Sequence, residues 1–463
     1  MSPAFGPPPF AHTRSLGCPE GSPGQAFHRI NERNSLRHPI NPVWSNNITA
    51  FIVVNMPDTP SKPTTAAPAA HKGWYVLAIL SLLMGFASIS TDLYLPAMPA
   101  IADALGAGDG TIELTVSGYL VGFSLTQLIW GPVSDRFGRR VPVAIGLILF
   151  VIGSAGCALS DSAAIMIAWR VVQAIGACAS VALSRAMVRD LYDGNRAAQM
   201  MSTLMTIMAI APLLGPLVGA QIAAFAGWRA IFWTLVGIGA IALLLLLTLP
   251  ETHAPEHRSR ETFAQAFRRY GGLIRHRHLL GYVGVGGCFY GGMFAYIAGT
   301  PFAYIDYYGV PDRLYGFLFG AGVIGIMTTN LVNARLVRYF GVNRMLLAGS
   351  LAAFGCAAVT GVNATTGWGG LWGIAVPLFA FVSTTGFIIA NAMAGALEDF
   401  PRRAGAVSAL VGATQYGSGV VGSALVGLLA DGTPQPLGLV VAMAATGTLV
   451  SSGYVVLIHR RAR

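Results

Sequence analysis

The sequence predicts an all-α membrane protein whose twelve transmembrane helices form two six-helix bundles. Three observations predict this architecture. Of the 463 residues, 54% are hydrophobic and only 10% are charged, whereas about one quarter of the residues in a soluble domain are charged. From Trp74 onward, apolar runs long enough to cross a bilayer follow one another. Arginines are concentrated in alternate connections between these runs.

The first 72 residues differ from the rest of the chain. They are rich in Pro, Asn, Ser and Arg and have no helical period, so we predict a disordered tail. They contain neither a charged segment followed by a cleavable apolar core nor another targeting pattern. We expect residues 1–55 to lie upstream of the true translation start, Met56, which begins a short polar tail.

The two predicted bundles are separated by a polar, arginine-rich connection over residues 251–278. The N-terminal bundle, residues 73–250, is predicted to contain helices near 74–99, 112–131, 141–160, 163–188, 198–224 and 229–249. The C-terminal bundle, residues 279–463, is predicted to contain helices near 279–304, 314–336, 344–362, 369–396, 404–430 and 437–458.

The distribution of arginine predicts the orientation of the chain. Connections on one side carry Arg136, Arg139 and Arg140; Arg185, Arg189 and Arg196; Arg258, Arg260, Arg268, Arg269, Arg275 and Arg277; Arg335, Arg338 and Arg344; Arg402 and Arg403; and Arg460, Arg461 and Arg463. The connections on the other side carry only Arg229 and Arg313. Because basic residues stay on the cytoplasmic side, we predict that both termini are cytoplasmic. The net charge of +10 therefore indicates contact with the lipid bilayer rather than with nucleic acid.

Residues 131–140, between the second and third predicted helices, read Gly-Pro-Val-Ser-Asp-Arg-Phe-Gly-Arg-Arg. Gly131 and Gly138 permit tight turns, and Asp135 can accept hydrogen bonds from a helix N-terminus or from a neighbouring arginine. An ordinary basic connection is the alternative interpretation. The candidate gating residues are Gly131, Asp135, Arg136, Gly138, Arg139 and Arg140. Residues 334–341 weakly repeat the segment, with Arg338 in place of the aspartate.

Two charged side chains fall inside predicted helices. Asp92 is the only carboxylate between Trp74 and Ala102, and Arg170 lies in the fourth helix. A charge at such a depth costs at least ~2.5–3.5 kcal/mol and usually faces a cavity or a partner. The alternatives are an interfacial aspartate at a helix end and an arginine that snorkels to the membrane surface. Both lie at similar depths in one bundle, but contact between them depends on helix rotation, which the sequence leaves open.

The fifth predicted helix combines features that bend it and pack it closely. Pro212 and Pro216 remove backbone hydrogen bonds, while Gly215 and Gly219 form a small-xxx-small face. Polar residues in other helices are candidates to line a cavity or, equally, to be packed and hydrogen-bonded. They are Tyr119, Gln127, Gln173, Tyr290, Asn391 and Gln415.

These motifs resemble those of the major facilitator superfamily. Residues 131–140 resemble its signature loop, which latches helices of the two halves together and gates the cytoplasmic side. The fifth-helix motif, with Gly215, Pro216 and Gly219, resembles that of exporters working by antiport, although Ala220 replaces its final glycine. Residues 90–99, 127–132, 185–190 and 227–229 resemble the bicyclomycin-resistance (Bcr/CflA) family of drug:proton antiporters, and this resemblance covers about residues 74–460.

The resemblance implies a multidrug efflux transporter in the bacterial inner membrane, exporting small amphipathic or cationic compounds by proton antiport, rather than an enzyme. It implies no cofactor beyond the proton gradient, no metal, and a functional monomer. In our interpretation Asp92 carries the proton or a cationic substrate, and Arg170 tunes it. A narrow exporter of a natural metabolite remains an alternative, as does, from another class, a polytopic membrane enzyme or receptor. No P-loop for ATP is present in the sequence.

Overall fold

The computed structural model describes residues 70–192, 194–259, 261–400 and 403–461. The predicted tail up to residue 69 and the expected start at Met56 lie outside the described residues. The described residues all belong to one compact unit. The first half contains α1 (Ala70–Asp92), α2 (Met98–Ala104), α3 (Asp109–Gln127), α4 (Trp130–Phe137), α5 (Arg140–Ala158), α6 (Ala163–Leu191), α7 (Gly194–Ala226) and α8 (Trp228–Leu247).

The connection to the second half contains a short helix, α9 (Phe263–Ile274). It begins with a capping box, in which the Thr262 side chain and the Gln265 side chain each bond the other's backbone N–H. The second half contains α10 (Arg277–Pro301), α11 (Asp312–Phe340), α12 (Val342–Thr366), α13 (Gly370–Ser383), α14 (Thr385–Glu398), α15 (Ala404–Leu429) and α16 (Gln435–Arg461).

Helical segments lie at all twelve predicted positions in the described chain. Ten are long and apolar enough to cross a bilayer, and α3 with α4, which meet at 45°, would make an eleventh. The twelfth position is α15, which has 26 residues but is less apolar because it contains six glycines, three serines and Gln415. It packs between α10 and α3, so much of its surface faces protein rather than lipid.

The first predicted helix is not continuous. The sequence predicted one helix over residues 74–99, but α1 ends at Asp92 and a 3-10 turn over Leu95–Ala97 precedes α2. The cause is proline: Pro96 has no N–H to donate to the Asp92 carbonyl, and Pro99 has none for Leu95. The break therefore places Asp92 at a helix end within the span.

The two halves meet mainly through α3 against α15 and α7 against α11. At the end of α3 remote from residues 131–140, a Cβ atom on Gly110 would overlap the carbonyl oxygen of Gly427, so the two backbones approach as closely as glycine permits. Nearer the middle, the hydroxyls of Ser117 and Ser423 share a hydrogen bond of 2.8 Å. This end of the interface between the halves is tightly closed.

Candidate functional site

Arg170 lies at the middle of a buried polar cluster in the first half. Its side chain is fully buried, and its Nη1 donates to the Ser90 carbonyl at 2.9 Å and to the Gln173 Oε1 at 2.6 Å. Its guanidinium carbon lies 4.3 Å and 4.6 Å from the ring centres of Tyr94 and Tyr119. Arg170 therefore does not snorkel to the membrane surface.

Hydrogen bonds extend this cluster to three further helices. The Gln173 Nε2 donates to the Ser154 hydroxyl at 2.8 Å, and the hydroxyls of Ser90 and Tyr119 are 2.6 Å apart. The Nε and Nη2 atoms of Arg170 have no hydrogen-bond partner among the described residues. The two tyrosine rings compensate part of this cost, since a desolvated cation–π contact contributes ~2 kcal/mol. We call Ser90, Tyr94, Tyr119, Ser154, Arg170 and Gln173 the polar centre.

Asp92 lies beside the polar centre but outside its hydrogen-bond network. Its side chain is 4% exposed, and its Oδ1 accepts a hydrogen bond from the Thr91 hydroxyl at 3.0 Å. No ion pair in the described part of the chain joins it to Arg170. The sequence left open whether these two side chains are in contact, and the structure shows no ion pair between them. The 3-10 turn Leu95–Ala97, which follows Asp92 closely, contacts α10 and α11 of the second half. Asp92 therefore lies at the boundary between the halves.

The glycine face of α7 packs on the break in the first span. A Cβ atom on Gly215 would lie 2.8 Å from the Cβ of Asp92, and one on Gly219 would overlap the Leu93 carbonyl oxygen. The two helices can approach this closely only because both positions lack a side chain. The fifth-helix motif, which contains Gly215, Pro216 and Gly219, therefore packs against the backbone around Asp92.

The adjoining face of α7 contacts the second half. A Cβ atom on Gly316 of α11 would lie 2.8 Å from the Leu217 side chain, and one on Gly320 would lie 3.0 Å from the Leu213 side chain. One short stretch of α7 therefore touches both the segment that carries Asp92 and the opposite half.

The segment 131–140 is not an open loop: most of it belongs to the short helix α4 (Trp130–Phe137), and Gly138 and Arg139 link α4 to α5. Gly131 lies inside α4 and a Cβ atom there would meet nothing within 4 Å, so the tight turn expected at Gly131 is wrong. The turn lies at Gly138, whose φ is +91°. Arg139 is buried and donates to Asp135 at 2.5 Å and to Asp190 at the end of α6 at 2.8 Å.

Glu251, after α8, holds the start of α5. Its carboxylate accepts the backbone N–H of Arg139 at 2.7 Å and of Arg140 at 3.2 Å. Partial burial by itself would raise the pKa of Glu251, but the N–H donors of Arg139, His253 and Arg140 and the charge of Arg258 outweigh it, so the pKa is lower than usual. Sequence reasoning did not identify Glu251, because its partners are backbone groups more than a hundred residues away.

The connection joins the same network on its other side. The Ser259 N–H donates to the Asp135 carbonyl at 2.8 Å, and the guanidinium of Arg136 lies 5.8 Å from the Phe263 ring centre of α9. Among the described residues, the side-chain hydrogen bonds and ion pairs of residues 131–140 stay within the first half. The segment reaches the connection through backbone groups and the Phe263 ring. The latch between the two halves implied by the resemblance is not among these contacts in this conformation.

The weak repeat in the second half keeps the turn but not the ion pairs. Gly341 has φ of +80°, close to that of Gly138, whereas the Nε of Arg338 donates to the Arg335 carbonyl of its own helix. Instead, His278 at the start of α10 bonds Asp399 at the end of α14, with 2.5 Å between Nδ1 and Oδ2. The sequence analysis missed this contact.

A cavity of about 350 Å³ opens on the side of the bundle that carries residues 131–140 and the connection, which we call the basic side. Its mouth is lined by Asp135, Ser259, Phe263 and Tyr270, among others, and its inner wall by Gln127, Ala182, Arg185 and Ala409. Towards the opposite side, the pockets near Glu113 and between Tyr304 and Trp372 are smaller, at about 40 and 120 Å³. The described structure is therefore open to the basic side.

Of the six residues proposed to line a cavity, Gln127 lines this one. Tyr119 and Gln173 belong to the polar centre. Asn391 of α14 is buried and donates to the Asn333 Oδ1 of α11 at 2.8 Å. Gln415 is buried and lies against α10, and the rings of Tyr290 and Tyr416 pack 6.0 Å apart.

Comparison with known proteins identifies relatives over most of the chain. Residues 80–423 match the family model described as Major Facilitator Superfamily. An uncharacterised MFS-type transporter, YdgK, of Bacillus subtilis is 34% identical over 81% of this chain and 94% of its own length. The bicyclomycin resistance protein homolog of Haemophilus influenzae is 31% identical over 78% of this chain and 90% of its own length. The chloramphenicol resistance protein of Pseudomonas aeruginosa is 30% identical over 78% of this chain and 87% of its own length.

Solved structures show the same fold. The Escherichia coli xylose transporter XylE, in a partially occluded inward open conformation, aligns with a TM-score of 0.63 over 81% of this chain and 96% of its own. A D-xylose-proton symporter aligns with a TM-score of 0.65 over 82% and 97%. Both are 16% identical to this chain, so the likeness concerns the fold alone.

Proposed function

Because the chain belongs to the major facilitator superfamily, a superfamily of membrane transporters rather than enzymes, we propose that it is a secondary active multidrug exporter driven by proton antiport. Its substrates would be small amphipathic compounds, and its basic side would face the cytoplasm. The relatives named for resistance to bicyclomycin and chloramphenicol support a drug-like cargo. The observation that carries the proposal is Asp92, a buried carboxylate at the boundary between the halves that has no ionic partner among the described residues.

Asp92 is suited to carry the proton. An ionised carboxylate away from water is costly unless a cation or several donors compensate it. Among the side chains that the structure describes, Thr91 is the one that donates a hydrogen bond to Asp92. Access to water on one side would favour the charged form, and closure would favour the neutral form. Arg170 acts from a distance, through the Ser90 carbonyl two residues before Asp92.

The packing of α7 supplies a route from protonation to movement. Gly215 and Gly219 rest on Asp92 and Leu93, while Leu213 and Leu217 rest on α11. A change in the shape or charge of the segment around Asp92 would shift α7 and alter its contact with the second half. Alternating access by rocking of two halves requires such a contact. Each charge moved across 100 mV supplies about 2.3 kcal/mol, and no cofactor is needed.

The test uses purified protein in liposomes with an imposed proton gradient. We expect Asp92→Asn to abolish drug-dependent proton flux while the protein remains folded, and Arg170→Ala to reduce it strongly. The matched control is Asp103→Asn, because Asp103 is an exposed acid at the end of α2. Undiminished drug-dependent proton flux in Asp92→Asn would remove Asp92 from the mechanism.

A further inference from the structure

A crevice opens on the surface of the second half, towards the side opposite the basic side. It has a volume of about 120 Å³ and lies between α11 and α13, where Ala321 of α11 is part of its wall. Its inner end includes Tyr296 of α10 and Tyr304 of the π-helical turn that follows α10. Its outer rim includes the exposed rings of Trp372 and Phe379 of α13. We call this cavity the lateral crevice.

The position of the lateral crevice along α13 places it against the lipid hydrocarbon. Trp368 and Trp372 lie exposed near the start of this helix, and tryptophan is enriched at the membrane–water interface. Phe379 lies seven residues beyond Trp372, which is about 10 Å deeper at 1.5 Å per residue. The lateral crevice therefore extends from the interface into the bilayer, and a guest would enter it from the lipid.

The wall and the size of the lateral crevice limit what it can hold. Its described lining residues include no charged side chain, so a charged guest would leave water without gaining a counter-ion. The volume of about 120 Å³ is close to that of a cavity of roughly 150 Å³, which takes up benzene. The lateral crevice therefore suits one uncharged ring.

Two tyrosine hydroxyls at the inner end lack a hydrogen-bond partner. Tyr296 and Tyr304 are 4% and 3% exposed, and neither hydroxyl makes a hydrogen bond within the described part of the chain. A Cβ atom on Gly322, next to Ala321, would lie 3.5 Å from the Tyr296 hydroxyl oxygen, so this hydroxyl reaches the α11 wall. A buried tyrosine hydroxyl usually finds a partner, because a donor left unpaired costs free energy.

The ring directly behind these two tyrosines shows the contrast. Tyr304 meets Tyr315 edge-on, with 6.2 Å between the ring centres. Tyr315 is fully buried and is not part of the crevice wall, and its hydroxyl shares a hydrogen bond of 3.3 Å with the Thr300 hydroxyl. On the other side, the ring of Tyr296 stacks on that of Phe319 at 5.7 Å. The unpaired hydroxyls are thus those of the tyrosines that line the crevice.

We infer that the lateral crevice is a binding site for small uncharged ring compounds that are dissolved in the bilayer and carry a hydrogen-bond acceptor. The ring fills the apolar part of the crevice, and a carbonyl or ether oxygen accepts a hydrogen bond from Tyr296 or Tyr304. A lipid acyl chain fits the apolar walls but has no acceptor, so it leaves both hydroxyls unpaired. The site shares no lining residue with the basic-side cavity, and it does not depend on proton antiport.

The experiment measures photolabelling of the purified full chain in lipid nanodiscs, without a proton gradient. The probe is benzophenone, an uncharged ketone that attaches to nearby C–H bonds under ultraviolet light, and peptide mass spectrometry locates the adducts. The competitors are cyclohexanone and methylenecyclohexane, which share one shape but differ in the acceptor oxygen. We expect adducts on the crevice residues of α11 and α13. Cyclohexanone should displace the probe at about three- to tenfold lower concentration in the bilayer than methylenecyclohexane.

Two variants separate the hydroxyls from the space. The double variant Tyr296→Phe with Tyr304→Phe keeps both rings, so the two competitors should become equal. Its unfolding temperature should not fall, because neither hydroxyl loses a partner. Ala321→Leu fills the crevice and should abolish the adducts there.

The matched controls are Tyr454→Phe in α16 and Ala352→Leu in α12, because both residues are exposed outside the crevice. Neither should change the labelling. Equal displacement by the two competitors in the wild type would mean a non-selective apolar surface filled by lipid, and it overturns the inference. A preference for cyclohexanone that persists in the double tyrosine variant also overturns it, as does undiminished labelling of the crevice in Ala321→Leu. Because transport is not measured, such a failure is distinct from a failure of Asp92-dependent proton antiport.

Discussion

Replacing Gly219 by alanine tests the contact between α7 and the break after Asp92. The new Cβ would overlap the Leu93 carbonyl oxygen, and the equivalent atom on Gly215 would lie 2.8 Å from the Cβ of Asp92. Carbon atoms pack at about 3.5–4.0 Å, so even Gly215→Ala requires α7 to move by roughly 1 Å, and Gly219→Ala requires more. Forcing extra atoms into a packed interior costs about 1–3 kcal/mol.

The matched control is Gly355→Ala in α12, where a Cβ atom would meet nothing within 4 Å. Alanine in an open helical position is favoured over glycine by roughly 0.5–1 kcal/mol. Both substitutions gain this term, so it cancels, and we expect Gly219→Ala to be less stable than Gly355→Ala by about 1–3 kcal/mol, with Gly215→Ala between them. Because the displacement occurs beside Asp92, drug-dependent proton flux should fall in the same order.

The measurements are thermal unfolding of the purified proteins in detergent and proton flux in liposomes. Loss of flux without loss of stability in Gly219→Ala would mean that α7 adjusts easily and that the glycine serves movement alone. The reasoning is refuted if Gly219→Ala unfolds at the same temperature as Gly355→Ala and transports as wild type.

Two further predictions concern the network around Arg139. Asp135→Asn should reduce transport sharply with little change in membrane abundance, because the Asp135 side chain is 50% exposed and exposed ion pairs contribute little stability. The control is Asp161→Asn on the opposite side. If Asp135→Asn transports at the wild-type rate, residues 131–140 serve only as a topology signal. Glu251→Gln should destabilise the protein at neutral pH. Because the pKa of Glu251 is lowered, its contribution is present above its ordinary value of 4.5 and is lost as the pH falls through the lower folded-state value. The unfolding temperatures of wild type and variant, measured from pH 7 to pH 3, should therefore converge in acid, and a constant difference would contradict this.

Helix positions were predictable because hydrophobic length alone determines a membrane span. The break after Asp92 could also have been predicted, since Pro96 and Pro99 each remove a hydrogen-bond donor from the helix. It was missed because the helices were predicted from the length of the apolar runs alone. The contacts of Arg170 were not predictable. Its partners Ser90 and Tyr119 depend on how three helices rotate about their axes, and apolar faces in lipid leave that rotation unspecified.

The two halves share a backbone plan but divide the chemistry. Gly138 and Gly341 make the same left-handed turn at matching positions, so the repeat persists in geometry. The buried ionisable groups Asp92 and Arg170 lie in the first half, whereas the described buried polar residues of the second half are uncharged amides and hydroxyls such as Asn333 and Asn391. A proton would therefore be handled by the first half. In the proposed mechanism the second half would respond through the packing of α7 against α11. The coupling between proton and cargo would then pass through packing, because no ion pair among the described residues joins the two halves.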